Sequence, residues 1–136
     1  MTFPDNSAER AGASEAGGQL MGLFWVLKLA SPLPPAVEPG VAASFTRAGT
    51  ADSADLAAAM GLDDTEPVFR RFARGCQASI ARVEGRLASY GWITFDREDI
   101  GSLGLSVRLL PGEAYIWDCA TLLTYRGRHL YPALLS

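Results

Sequence analysis

The sequence predicts one mixed α/β domain behind a tail, and three stretches carry that prediction. Residues 76–83 and 86–95 are two β-favouring runs separated by Glu84-Gly85, the signature of a two-residue hairpin turn. Residues 53–60 and 66–74 are short helical patterns, each followed by a glycine that stops it. Residues 112–136, GEAYIWDCATLLTYRGRHLYPALLS, read as a buried strand over 114–122, a tight turn over 125–128, then the first turns of a helix.

A length of 136 residues suits one domain that buries about two-thirds of its unfolded surface. Hydrophobic content of 49% with 20% charged residues belongs to a folding chain rather than a disordered one. A net charge of -3 leaves no basic surplus to neutralise phosphates, so neither nucleic acid nor an anionic membrane is an expected partner. Lys28 is the only lysine, and the many alanines and arginines suggest a GC-rich bacterial genome. Cys76 and Cys119 form neither a CxxC pair nor a cluster with histidine, so no metal is expected and the reduced cytoplasm is the expected compartment. No apolar run approaches the ~20 residues of a membrane span.

Each element follows in order. Residues 1–20 lack periodicity and are expected to be a disordered tail, with Met21 as an alternative start, so that the domain spans 21–136. Phe24-Trp25-Val26-Leu27 marks a strand over 22–29, ended by the prolines at 32, 34 and 35. Residues 41–47 (VAASFTR) are a second strand. The segment 50–52 then offers N-cap chemistry for the helix over 53–60, which Gly61 ends. In the next helix Val68, Phe69 and Phe72 form the apolar stripe. Arg70, Arg71 and Arg74 read as its solvated side, with an anion site as the alternative.

In the hairpin, Cys76, Ala78 and Ile80 alternate with Gln77 and Ser79, although Ala81 and Val83 break period two. On the second arm Leu87, Ser89, Gly91 and Ile93 are expected on one face, with Ala88, Tyr90, Trp92 and Thr94 on the other. Asp96 to Glu98 should end the hairpin. Alternating Leu103, Leu105, Val107 and Leu109 argue for one strand over 100–110, and Pro111-Gly112 for a turn.

A strand that ends in Arg-Gly and opens a helix makes a cradle for phosphates. Backbone N–H groups at a helix start have no internal partner and favour an anion. Gly127 allows close backbone approach, and Arg126 and Arg128 add charge-assisted hydrogen bonds worth about 1.5–3 kcal/mol each.

The run 120–135, ATLLTYRGRHLYPALL, resembles the acetyl-CoA-binding motif of the GNAT family of N-acetyltransferases. That motif is a strand, a turn of the type Pro-x-Tyr-Arg-Gly, and a helix carrying Ala-Leu-Leu. The match lies over Tyr125-Arg126-Gly127-Arg128 and Ala133-Leu134-Leu135. His129 and Tyr131 stand where the family usually has glycine or alanine, and Leu123 where proline is common. The order of elements, a helix pair, a hairpin and then the cradle, agrees with the N-terminal half of that fold.

The resemblance implies a mixed, mostly antiparallel sheet with flanking helices, and transfer of an acetyl group from acetyl-CoA to a small-molecule or peptide amine. Pantetheine contacts fall to Ala120, Thr121 and Leu122, and pyrophosphate contacts to Arg126, Gly127, Arg128, His129, Leu130 and Tyr131. Asp118 is the candidate catalytic residue, as base or as anchor for the amine, with Glu113 the other nearby carboxylate. A structural Asp118, on the side of the sheet opposite Trp117 and Cys119, is the alternative. A Cys119–His129 nucleophile is the weaker reading, since a buried strand cysteine is usually a small apolar residue. Trp25, Trp92 and Trp117 read as core, with Trp92 or Tyr90 lining the acceptor site as the alternative.

Leu130, Leu134 and Leu135 need a partner, yet the sequence given stops at Ser136, barely two turns into the helix. The sequence therefore reads as an N-terminal fragment of an acetyltransferase, or as a degenerate, inactive domain that binds CoA or a partner. A half-finished sheet edge would also favour a homodimer.

Overall fold

Four strands of the second compact unit pair into one antiparallel sheet. They are β1 (Ser44–Arg47), β2 (Gln77–Val83), β3 (Arg86–Thr94) and β6 (Tyr115–Thr121), in the order β1-β2-β3-β6. The computed structural model describes residues 32–33 and 35–136. Of its two units, Met1–Leu33 and Pro34–Ser136, the second carries the fold. The expected tail and the strand over 22–29, Trp25 included, lie outside the described residues. Among the described residues three helices flank the sheet: α1 (Ser53–Ala59), α2 (Glu66–Ala73) and α3 (Leu130–Leu135). The fold class is therefore the expected one, mixed α and β with an antiparallel sheet between helices.

The β2–β3 hairpin turns on Glu84 and Gly85 at φ 50° and 77°, the pair of positive values a two-residue turn of matching twist demands. Leu56 of α1, Val68 of α2, Ala78 and Ile80 of β2 and Trp92 of β3 are buried together, so α1 and α2 cover one face of the sheet. Phe72 tilts against Trp92 with ring centroids 5.2 Å apart. Leu130 of α3 packs on Val83 and Ala88, with Val41 and Ala43 beside them. The helix start is thereby fixed to the sheet by burial of one leucine, worth about 2 kcal/mol.

Several expected boundaries and faces shift, each for a physical reason. The strand expected over 41–47 is only four residues long, because Val41 and Ala43 are drawn under α3 instead. The strand expected over 100–110 is broken: Gly101–Leu103 forms a 3₁₀ turn and Gly104 takes φ 60°. What remains is a separate hairpin of β4 (Arg97–Ile100) and β5 (Leu105–Arg108), so Arg97 and Glu98 open a strand rather than close one. Ala81 pairs with Ser89 and Arg82 with Leu87, which leaves Ala88 as an extra residue on β3. That bulge turns Leu87 to the same face as Tyr90 and Trp92, and Ala88 to the side of α3, against the expected alternation.

The arginines of α2 are the largest correction. Arg70 is solvated as expected, with a loose helical pair to Glu66. Arg74 instead pairs with the buried Glu98 and so ties the β4–β5 hairpin to α2. Arg71 lies under the sheet, as described next.

Candidate functional site

The candidate site is built on β6, the last strand in the sheet order, so its outer edge has no strand partner among the described residues. Along its inner edge Trp117 pairs with Trp92 and Ala120 with Tyr90, so Gly91 alone faces Asp118 and Cys119. This is a β-bulge, and Asp118 takes φ 43° within it. Aspartate tolerates the left-handed region better than most residues, at a cost on the order of 1–2 kcal/mol. Gly91 makes the bulge possible from the other side, since a Cβ there would lie 3.1 Å from the Cys119 Sγ.

The bulge puts Trp117 and Asp118 on one side of the sheet, whereas strict alternation would have put them on opposite sides. Arg71 of α2 touches both. Its Nη1 donates to Asp118 Oδ2 at 2.6 Å, and its guanidinium carbon lies 4.3 Å from the Trp117 ring centre and 5.0 Å from that of Trp92. The pair is partly shielded, with side-chain exposures of 20% for Arg71 and 33% for Asp118. Each cation–π contact adds about 0.5–2 kcal/mol. Asp118 Oδ1 has no partner among the described residues. Trp92 and Trp117 are thus clamp residues as well as core.

Cys119 faces the α3 side. Its thiol donates to the Trp117 carbonyl at 3.2 Å. Burial pushes the Cys119 thiol above its ordinary value and, with the thiol, pushes the Tyr131 phenol up to about 12. His129 makes no contact with Cys119, so the nucleophile reading has no geometry behind it among the described residues. Glu113 is also elsewhere: its Oε2 accepts the Leu110 N–H at 2.8 Å and closes the Pro111-Gly112 turn.

The cradle turn begins where β6 leaves the sheet. Leu122 donates its N–H inward to Ala88 at 2.9 Å, and the Ala120 carbonyl accepts from Ser89 Oγ at 3.1 Å. Strand alternation then turns the Thr121 N–H and C=O to the open edge, where Arg126 Nε donates to that carbonyl at 3.0 Å. A 3₁₀ turn over Leu123–Tyr125 follows. Gly127 and His129 then take φ 77° and 56°, a left-handed pattern that turns neighbouring N–H groups toward a common concavity. The Gly40 N–H holds the Arg128 carbonyl from behind at 2.7 Å.

The result is an open cavity of about 360 Å³. Seven of the nine residues expected to hold the carrier line it: Thr121, Arg126, Gly127, Arg128, His129, Leu130 and Tyr131. Ala120 and Leu122 do not, because their polar backbone groups are turned into the sheet. Backbone N–H groups at all five positions from 127 to 131 lack an acceptor among the described residues. Five adjacent free donors in a cavity that two exposed arginines also line suit a polyanion.

Sequence reasoning missed Arg71 and the bulge. Gly91 and Asp118, both out of place inside apolar strands, were the available signals for it.

No protein-family model matches the chain, and no curated protein does. Among solved structures the chain is similar to a ribosomal-protein-alanine N-acetyltransferase from Brucella melitensis biovar Abortus 2308. The TM-score is 0.50 at 16% identity, over 69% of this chain and 67% of that one. The likeness is one of fold alone, a mixed α and β arrangement with an antiparallel sheet between helices.

Proposed function

We propose that this chain is an N-acetyltransferase that takes acetyl-CoA along the open edge of β6 and transfers its acetyl group to a primary amine. The observation that carries the reading is the row of N–H groups over 127–131, free among the described residues and lining one cavity together with Arg126 and Arg128. The likeness in fold supports it. The carrier's diphosphate takes those donors, and its pantetheine amide pairs with the outward N–H of Thr121. The acetyl group then lies toward the bulge at Asp118.

The chemistry is direct transfer. The amine lone pair attacks the thioester carbonyl, the C–S bond breaks, one proton leaves nitrogen and one reaches the departing sulfur. Asp118 anchors the incoming amine through Oδ1, since Oδ2 is already committed to Arg71. Burial keeps Cys119 a protonated spectator. We place the reaction in the cytoplasm, where Cys76 and Cys119 stay reduced. A peptide with an N-terminal alanine is the first acceptor to try, by analogy with the protein of similar fold.

Calorimetric titration of acetyl-CoA tests the carrier site. The double charge reversal Arg126→Glu/Arg128→Glu is expected to weaken binding at least about tenfold. An unaltered affinity overturns the reading, and binding without transfer to any amine leaves a carrier-binding domain in place of an enzyme.

A further inference from the structure

Arg71 makes three contacts, and two of them are to residues that only one form of β6 brings to the same side. In an unbulged strand, consecutive side chains point to opposite faces, and one guanidinium could not reach both Trp117 and Asp118. Here it does, and it also lies 5.0 Å from the ring centre of Trp92 on the neighbouring strand. The attraction therefore favours the bulged register over the straight one. The ladder is paired on both sides of the bulge but leaves Asp118, at φ 43°, and Cys119 without partners opposite Gly91, and the contacts of Arg71 fall on that unpaired stretch and its border.

We propose that Arg71 is a positioning residue for the acyl arm of the carrier, holding through Asp118 the bulge that sets which N–H groups of β6 face the open edge. The inference rests on the carrier reading above. It separates two halves of that site. The phosphate turn has ties of its own that do not run through β6, from the Gly40 N–H to the Arg128 carbonyl and from Leu130 to Val83 and Ala88, and neither involves Arg71. Loss of Arg71 should release the strand and leave the turn.

The test compares two probes on the full chain: acetyl-CoA, and 3′-phosphoadenosine 5′-diphosphate, the nucleotide end without the arm. Arg71→Met is expected to weaken acetyl-CoA at least about tenfold and the nucleotide less than twofold, which also certifies the fold. Asp118→Asn keeps a residue suited to the left-handed region and removes the charge. It should give the same selective loss, and the double variant should be no worse than the more damaged single one. Arg71→Lys should recover part of the loss; if Arg71→Met does not fold, Asp118→Asn and Arg71→Lys carry the comparison. An unchanged ratio of the two affinities, whether both hold or both fall together, overturns the inference. Wild-type protein that binds neither probe overturns the carrier reading with it.

Discussion

The missing side chain at Gly91 is as much a part of the site as Asp118. Its absence makes room for Cys119 at the point where two residues of β6 oppose one of β3. Gly91→Ala would set a methyl group 3.1 Å from a sulfur that is held by the Trp117 carbonyl. We expect a loss of about 1 kcal/mol or more in urea unfolding, largely relieved in the background Cys119→Ala. Equal losses in both backgrounds would mean that the sulfur is not the obstacle. At this scale the sequence was legible where a residue's own chemistry decides its conformation. Glu84-Gly85 had to turn, and Tyr125-Arg126-Gly127-Arg128 had to form a basic, glycine-bearing corner. Arg71 was not legible, because an arginine on a helix looks solvated until the strand beneath it is known to bulge.

Between elements, the same limit recurs. The two bulges, at Ala88 and at Asp118-Cys119, change the phase of β3 and β6 relative to a strict alternation. No local propensity marks such a change, because it is a property of the pairing rather than of either strand. The break at Gly101–Leu103 was misread for a related reason: alternating leucines persist through it, although Gly104 bends the chain. The contact between α3 and β6 offers a test of its own. Burial and the Cys119 thiol raise the Tyr131 phenol from its ordinary 10 to about 12, so the folded state holds it neutral where the unfolded chain ionises. Its stabilisation is complete below pH 10 and is lost as pH rises from 10 through 12. Melting temperature should therefore fall less steeply over that window in Tyr131→Phe than in wild type. Parallel slopes would remove Tyr131 from the packing between α3 and the sheet.

Across the whole molecule, the second unit places two helices on one face of an antiparallel sheet and a short helix on the other. The bulged strand and the cradle turn meet at the sheet's edge. Among the described residues the helix pair, the β2–β3 hairpin and the closing strand–turn–helix were legible in order from the sequence, whereas the β4–β5 hairpin was not, and the likeness to a solved acetyltransferase structure is one of fold. The central claim is that acetyl-CoA occupies that edge. Amide chemical shifts of ¹⁵N-labelled protein, followed while acetyl-CoA is added, test it most directly. The account expects the largest shifts at the Gly127, Arg128, His129, Leu130 and Tyr131 amides, with a second group at Cys119 to Thr121 and little change across β4 and β5. Saturable shifts centred anywhere else, or none at millimolar acetyl-CoA, would contradict it.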